Sequence, residues 1–269
     1  CVLYYNLVND TLLSLPAALE EGCANCLENP NNKDTIYWRK LYNDRFIVED
    51  SYDEMKEIQR RHWRTANTVN EYNLTVLCTL KCNSECTYCY QRNLEIEYAE
   101  MTESDFEGLY EYLCKVPQQN IHINWFGGEP MLLKNQILNF CKKTDRDRKH
   151  LYSHSISTNG SIYDERFFRE MEQYGLTNVN ASMVGIGTMH SLLRPSQDYD
   201  AETVIKNLLR MTRHTTVVVN INLCKSNIDH AKEILERFAP YQYLPLRFNF
   251  SRIVSYDHIP CKEEELDID

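Results

Sequence analysis

No stretch of the 269-residue chain approaches the ~18 consecutive apolar residues that a membrane-spanning helix needs. No charged-then-apolar leader opens it, so nothing in the sequence points to secretion, and a cytoplasmic protein is expected. Positive charge is not in excess. Lys and Arg number 29 against 39 Asp and Glu, a formal net charge of -10. Phosphate partners need a positive field, so this balance disfavours a nucleic-acid-binding surface. There is no internal repeat and no low-complexity tract. There is no initiating methionine either; the chain begins at Cys1, as a fragment or a processed form would. What remains is ordinary globular composition, 25% charged and 43% hydrophobic, long enough for one large domain or one domain plus a small one.

Eleven cysteines would suit a disulfide scaffold only in a short secreted chain. In a reducing compartment a cluster of cysteines points to metal ligation, and isolated ones serve as small core hydrophobes. Cys1, Cys114, Cys141, Cys224 and Cys261 stand alone. Cys23 and Cys26 form a CxxC with no second pair at zinc-finger distance. Cys114 and Cys141 fall in helical patterns and read as core. Cys78, Cys82, Cys86 and Cys89 remain.

Residues 1–70 read as a small α+β unit. Strands are expected at 2–5 and 45–48, helices at 12–19 and 55–63, the second opened by Asp50 or Ser51, and a polar loop at 29–34. From about residue 73 the texture changes. Strand-like runs at 73–79, 121–126, 153–158, 177–183, 215–223 and 246–253 alternate with amphipathic helical stretches near 104–115, 131–143, 163–174, 201–213 and 228–238. Alternation of this kind implies an α/β fold with a parallel sheet and right-handed crossovers.

The strand faces separate an open sheet from a barrel. An open sheet covered on both sides is apolar on both faces. Here one face carries His122 and Asn124, then Asn178, Asn180 and Ser182, then Asn220 and Asn222, then Arg247, Asn249 and Ser251. The opposite face carries residues such as Ile121, Ile123, Val217, Val219 and Ile221. A polar inner face suits a curved sheet around a lumen that holds a polar ligand. His122, Asn124, Asn180, Arg247 and Asn249 are candidates for lining a substrate channel there.

Directly after the first of these strands comes Cys82-Asn83-Ser84-Glu85-Cys86-Thr87-Tyr88-Cys89, a CxxxCxxC. Three thiolates in one tight loop can ligate three corners of a cubic iron–sulfur cluster and leave the fourth iron free for substrate or cofactor. A structural zinc site wants four ligands and usually two CxxC pairs. Cys78 is a possible fourth thiolate, but its strand position turns it toward the packed side. Other short motifs end the following strands. Gly127-Gly128-Glu129-Pro130 offers close backbone approach to a ligand and a carboxylate that can accept from an ammonium, or else a helix-opening turn. Ser157-Thr158-Asn159-Gly160 offers short polar groups, or a turn and cap. The C-terminal ends of parallel strands form one rim, where sites are found.

Cys82, Cys86 and Cys89, with Tyr88 before the last, resemble the signature of the radical S-adenosylmethionine (SAM) superfamily. The flanking Thr79-Leu80-Lys81 and Tyr90 resemble its peptide- and protein-modifying branch, which includes anaerobic sulfatase-maturating enzymes and peptide maturases. The resemblance runs from about residue 73 to 253. It implies a partial (β/α)6 barrel over 71–255, preceded by the small α+β domain of 1–70 and followed by an acidic tail, 256–269. It implies a [4Fe-4S] cluster on Cys82, Cys86 and Cys89, and SAM held by Tyr88, Gly127, Gly128, Glu129, Ser157, Asn159, Ser182, Arg194 and Asn220. The Gly127–Glu129 segment matches the part that holds the methionyl amine. Ser182 matches a ribose-contacting serine, and Arg194 stands where its fork can meet the SAM carboxylate, or else is a surface residue before Pro195. Asn227 reads as a helix N-cap.

The implied chemistry is reductive cleavage of SAM and hydrogen abstraction from a precursor peptide or protein, with an electron donor such as flavodoxin or ferredoxin. Two alternatives stay open: a radical SAM enzyme for a small molecule, and a catalytically silent peptide-binding module. Val184 replaces the acid that the family usually carries after the serine and apolar residue. Only 16 residues, with one cysteine, follow Ile253, so a cysteine-rich auxiliary-cluster module is expected to be absent or cut off. Residues 1–70 resemble small domains that recognise a leader peptide; the alternative is a cap over the barrel's end.

Overall fold

The structure, a computed structural model, describes residues 2–6, 11–31, 33, 36–66, 71–91, 100–254 and 266. Cys1, Cys261, Asn32 and Asp34, and all of the 256–269 tail except Leu266, lie outside the described residues. The chain divides into two compact units, Cys1–Thr68 and Val69–Asp269.

In the first unit, β1 (Val2–Asn6) and β2 (Thr11–Leu15) pair antiparallel, with Val2 opposite Leu15. Three helices follow: α1 (Glu20–Glu28), α2 (Ile36–Asn43) and α3 (Glu54–Ala66). The helix expected at 12–19 is therefore a strand, a Pro16 turn and a short 3-10 segment. Leu13 and Leu15 are buried and Ser14 is exposed, a period of two, and Pro16 has no N–H to extend a helix. The strand expected at 45–48 is a helix stop instead. Arg45 sits at φ 60°, and the backbone N–H groups of Phe46 and Ile47 both donate to Leu41 O, at 2.7 and 3.3 Å. The cap of α3 is Asp53 rather than Asp50 or Ser51, through Lys56 N–H to Asp53 Oδ1 at 2.9 Å. Cys23 and Cys26 are buried with Leu13, Leu15, Leu41 and Ile47, so this pair packs as core.

In the second unit, six parallel strands lie in sequence order: β3 (Glu71–Thr79), β4 (Asn120–Gly127), β5 (Leu151–Thr158), β6 (Leu176–Met183), β7 (Thr216–Leu223) and β8 (Leu246–Arg252). Between them run α4 (Glu103–Leu113), α5 (Lys134–Asp147), α6 (Glu165–Gln173), α7 (Gly187–Leu193), α8 (Ala201–Met211) and α9 (Ala231–Phe238). This is the parallel α/β sheet that the alternation implied, consistent with the partial (β/α)6 barrel that the resemblance implied. The seven-residue α7 escaped the sequence reading because so short a helix shows no clear period. Side-chain caps start α4, α6 and α8 at defined points. Thr102 and Asp105 form a reciprocal capping box on α4, and Asp164 and Asp200 accept from Phe167 N–H and Thr203 N–H.

The apolar strand residues Ile121, Ile123, Trp125, Ile156, Val179, Val217, Val219 and Ile221 are wholly buried against the helices, in one core with Phe106, Phe140, Phe168 and Leu208. Each side chain of this size contributes roughly 1.5–3 kcal/mol on burial. Cys141 belongs to this core, whereas Cys114 is only half-buried at the end of α4. The opposite face is a hydrogen-bonded polar floor. His122 meets Ser153 and Ser155 at 2.8 and 3.0 Å, Asn124 accepts from Ser155 and Ser157 at 3.1 Å each, and Asn249 donates to Asn220 at 3.2 Å. Among the described residues no helix is long and apolar enough to cross a membrane.

Candidate functional site

The C-terminal ends of the six strands surround a cavity of about 950 Å³. Of the residues expected to hold the cluster and SAM, all but Glu129 border it: Cys82, Cys86, Cys89, Tyr88, Gly127, Gly128, Ser157, Asn159, Ser182, Arg194 and Asn220. Of the five channel candidates, Asn180 borders the cavity; His122, Asn124, Arg247 and Asn249 do not.

The cysteine loop follows β3 and is clasped by the segment after α7. Glu85 N–H donates to Pro195 O at 2.9 Å and Thr87 N–H to Leu193 O at 3.0 Å. Ser196 donates its hydroxyl to Asn83 O at 3.1 Å, and the Ser84 and Tyr199 hydroxyls bond to each other. No local pattern marks Ser84, Ser196 or Tyr199, because the Ser84–Tyr199 and Ser196–Asn83 contacts each join residues more than a hundred positions apart. Burial pushes the Cys82 thiol up, while hydrogen bonds from the Ser84 backbone and hydroxyl pull the other way. Cys78 is wholly buried on the packed side, its thiol donating to Phe126 O at 3.4 Å and pushed up to about 12 by burial.

Gly127 and Gly128 are required by the protein's own backbone. A Cβ on Gly127, which has φ +137°, would lie 2.1 Å from Thr79 O, and one on Gly128 would lie 2.2 Å from Lys81 O. The same contact carries hydrogen bonds from Gly128 N–H to Thr79 O at 2.7 Å and from Glu129 N–H to Lys81 O at 2.8 Å. So the glycines dock the β4 end against the base of the cysteine loop. Gly128→Ala is expected to lose about 2–3 kcal/mol, because backbone must move to admit the methyl. Urea unfolding of the variant against wild type measures this.

Glu129 departs from its sequence reading. Its carboxylate is wholly buried and accepts from Met131 N–H at 2.9 Å, Thr158 Oγ1 at 2.8 Å and Asn159 N–H at 2.7 Å. Burial raises its pKa against these bonds and the charge of Arg194. These three bonds use most of what the carboxylate can accept. They fix the turn after β5.

Asn159 and Arg194 join these parts. The Asn159 amide Nδ2 donates to Asn83 Oδ1 at 2.8 Å and Ser84 Oγ at 3.0 Å, and lies 3.8 Å from Cys82 Sγ. Its Oδ1 accepts from Ser161 N–H at 2.9 Å. Arg194 is 1% exposed, so it is no surface arginine. Its fork donates to Ser182 O and Oγ at 2.7 and 2.6 Å, to Asn159 O at 3.3 Å and to Tyr88 Oη at 3.0 Å. Its Nε has no hydrogen-bond partner. Burial opposes its charge, but Tyr88, Cys86 and Tyr199 around it hold the guanidinium above its usual range. Val184 is wholly buried with Leu193, Cys224 and Ile253, behind Tyr88. Asn227 caps no helix with its side chain. It accepts from Cys224 N–H at 2.7 Å and donates to Val184 O and Asn222 O at 2.7 and 2.8 Å, tying β6 to β7.

The donor set discriminates between metals. Cys82, Cys86 and Cys89 line one cavity, with Cys78 turned away. Among the described residues no three His, Cys, Asp or Glu side chains converge as a single ion needs. A cubic cluster presents separate irons to separate thiolates, so three thiols with no fourth beside them among the described residues fit it better than the four ligands of structural zinc.

An uncharacterized protein of Methanocaldococcus jannaschii is 26% identical over 204 residues, 72% of this chain and 64% of its own length. The radical SAM cyclopropyl synthase TigE of Paramaledivibacter caminithermalis is 19% identical over 235 residues, 79% of this chain and 48% of its own. The chain therefore spans less than two thirds of either curated relative. Among solved structures, native anSMEcpe with bound AdoMet superimposes with a TM-score of 0.59 at 18% identity, covering 70% of this chain and 55% of that one. SuiB of Streptococcus suis, solved with S-adenosylmethionine, gives 0.56 at 13% identity, covering 98% and 63%. SuiB bound to its precursor peptide SuiA gives 0.52 at 14% identity, covering 94% and 60%. At these identities the likeness is one of fold. Residues 76–238, from β3 through α9, match the Radical SAM superfamily, whose members use a [4Fe-4S] cluster and SAM, and the chain belongs to that superfamily.

Proposed function

We propose that the chain is the catalytic core of a radical SAM enzyme that acts on a peptide or protein. The observation that carries this reading is the gathering of Cys82, Cys86, Cys89 and the polar ends of β5–β8 around one cavity. When bound, the cluster and SAM supply one-electron cleavage of the sulfonium to methionine and a 5′-deoxyadenosyl radical, which takes hydrogen from the substrate.

The chain's own residues hold and aim. Cys82, Cys86 and Cys89 ligate three irons and leave one open. The methionyl amine is assigned to the main-chain carbonyls of Gly127 and Gly128, since the Glu129 carboxylate is engaged elsewhere. The SAM carboxylate is assigned to Arg194, which borders the cavity. Ser182, Asn220 and Asn180 offer hydroxyl and amide groups to the nucleoside. Tyr88, backed by Val184 and Ile253, keeps water from that side.

The peptide substrate is supported by the peptide-bound SuiB structure, whose fold this chain shares. The Cys1–Thr68 unit is assigned to recognition of the substrate's leader, and a flavodoxin or ferredoxin to electron supply, in the cytoplasm. The test is anaerobic. Protein reconstituted with iron and sulfide receives SAM and dithionite, and 5′-deoxyadenosine is quantified. Turnover is expected from wild type and none from Cys82→Ala, Cys86→Ala or Cys89→Ala. Zinc in place of iron, or product made without the three cysteines, refutes the reading.

A further inference from the structure

Asn159 sits where the sequence reading expected a SAM contact, yet its side chain is turned to the cysteine loop. It is 7% exposed, and its amide faces three acceptors: Asn83 Oδ1, Ser84 Oγ and Cys82 Sγ. Two amide protons serve them. Asn83, the nearest at 2.8 Å, takes one; the other lies between Ser84 Oγ and the Cys82 sulfur. Ser84 brings further donors to that sulfur from its backbone N–H and hydroxyl. The amide is itself held fast. Ser161 N–H fixes Oδ1, and the Asn159 backbone is bonded to Glu129 on one side and Arg194 on the other. A donor braced from three directions keeps its aim whatever the charge on the sulfur.

We propose that Asn159, seconded by Ser84, sets the reduction potential of the cluster by donating to the Cys82 thiolate. The proposal rests on the reading that Cys82 is a cluster ligand. Reduction adds one electron, and part of the added charge falls on the ligating sulfurs. A hydrogen bond to a ligand sulfur stabilises the more negative, reduced state more than the oxidised one. It therefore raises the potential. Donors beyond the ligands commonly change a metal site's properties by tenfold or more. No proton is transferred, and the electron comes from an added reductant.

The experiment is a mediated redox titration of the reconstituted cluster, followed by electron paramagnetic resonance of the reduced form. Iron and sulfide are counted first. Asn159→Ser retains a hydroxyl that can accept from Ser161 N–H and so keeps the turn, but cannot reach Cys82. With the cluster loaded as in wild type, its reduction equilibrium is expected to shift about tenfold toward the oxidised form, about 59 mV more negative for one electron. Ser84→Ala should shift it the same way. An unchanged potential in a loaded Asn159→Ser protein overturns the proposal. Where Asn159→Ser fails to load, an unchanged potential in Ser84→Ala does so. Failure of the cluster to form in wild type is a separate result, seen in the iron count, and sinks the functional reading instead.

Discussion

Replacing Arg194 with methionine should cost about 3–5 kcal/mol, the range for removing one charge from a buried, hydrogen-bonded group. The methionine fills much of the space but donates nothing. Ser182 loses donors to both its carbonyl and its hydroxyl, and the Asn159 carbonyl and Tyr88 hydroxyl lose one each. Each buried acceptor left bare costs about 1–3 kcal/mol. A charge that partly offsets the burial of the Glu129 carboxyl is removed as well. Arg194→Lys restores the charge without the planar fork, which alone spans Ser182, Asn159 and Tyr88, so it should recover less than half of the loss. Urea unfolding of the three proteins at pH 7 measures both. Equal stability of Arg194→Met and wild type would show that the network is not holding the rim together.

The second large effect is in acid. His154 is wholly buried between Trp125 and Tyr152, stacked on both, and neither ring nitrogen has a partner. Burial, with a smaller contribution from His122, drives its pKa down to about 3, against about 6.5 in an unfolded chain. Between these values the unfolded state binds a proton that the folded state does not. Its contribution to stability is therefore full above about pH 6.5 and is lost as pH falls toward 3, about 3 kcal/mol of it by pH 4. His154→Phe keeps a flat ring in the stack and cannot ionise. The variant should match wild type to within about 1 kcal/mol at pH 7 and exceed it by about 3 kcal/mol at pH 4. Unfolding midpoints at the two pH values decide it; parallel pH profiles for the two proteins would refute the assignment.

The barrel was legible because its strands carry period-two patterns long enough to read. Asn220 and Asn222 alternating with Val219 and Ile221 reveal both a strand and which face is wet. The rim residues were legible because short motifs directly follow those strands. The first unit was less so. Five residues of strand before Pro16 look like the start of an amphipathic helix until tertiary pairing selects the strand. Roles within the rim were also hidden. Glu129 and Asn159 each sit in a recognisable motif, but the direction of their side chains depends on partners about thirty and seventy-five residues away. Nothing local marks Ser196 or Tyr199 as holding the cysteine loop.

That clasp also constrains the order of biogenesis. The cysteines are translated by residue 89, but the outer side of their loop is held by residues 193–199, across separations of 106 to 115 positions. Contacts so distant in sequence form late, after the intervening strands have assembled. The loop that emerges from the ribosome is thus an unshaped trio of thiols. If these cysteines hold the cluster, as proposed, its insertion is expected after more than a hundred further residues are synthesised and folded. A nascent chain arrested before Tyr199 would present reactive cysteines with no frame, open to zinc or oxidation, and the finished barrel is what makes them selective.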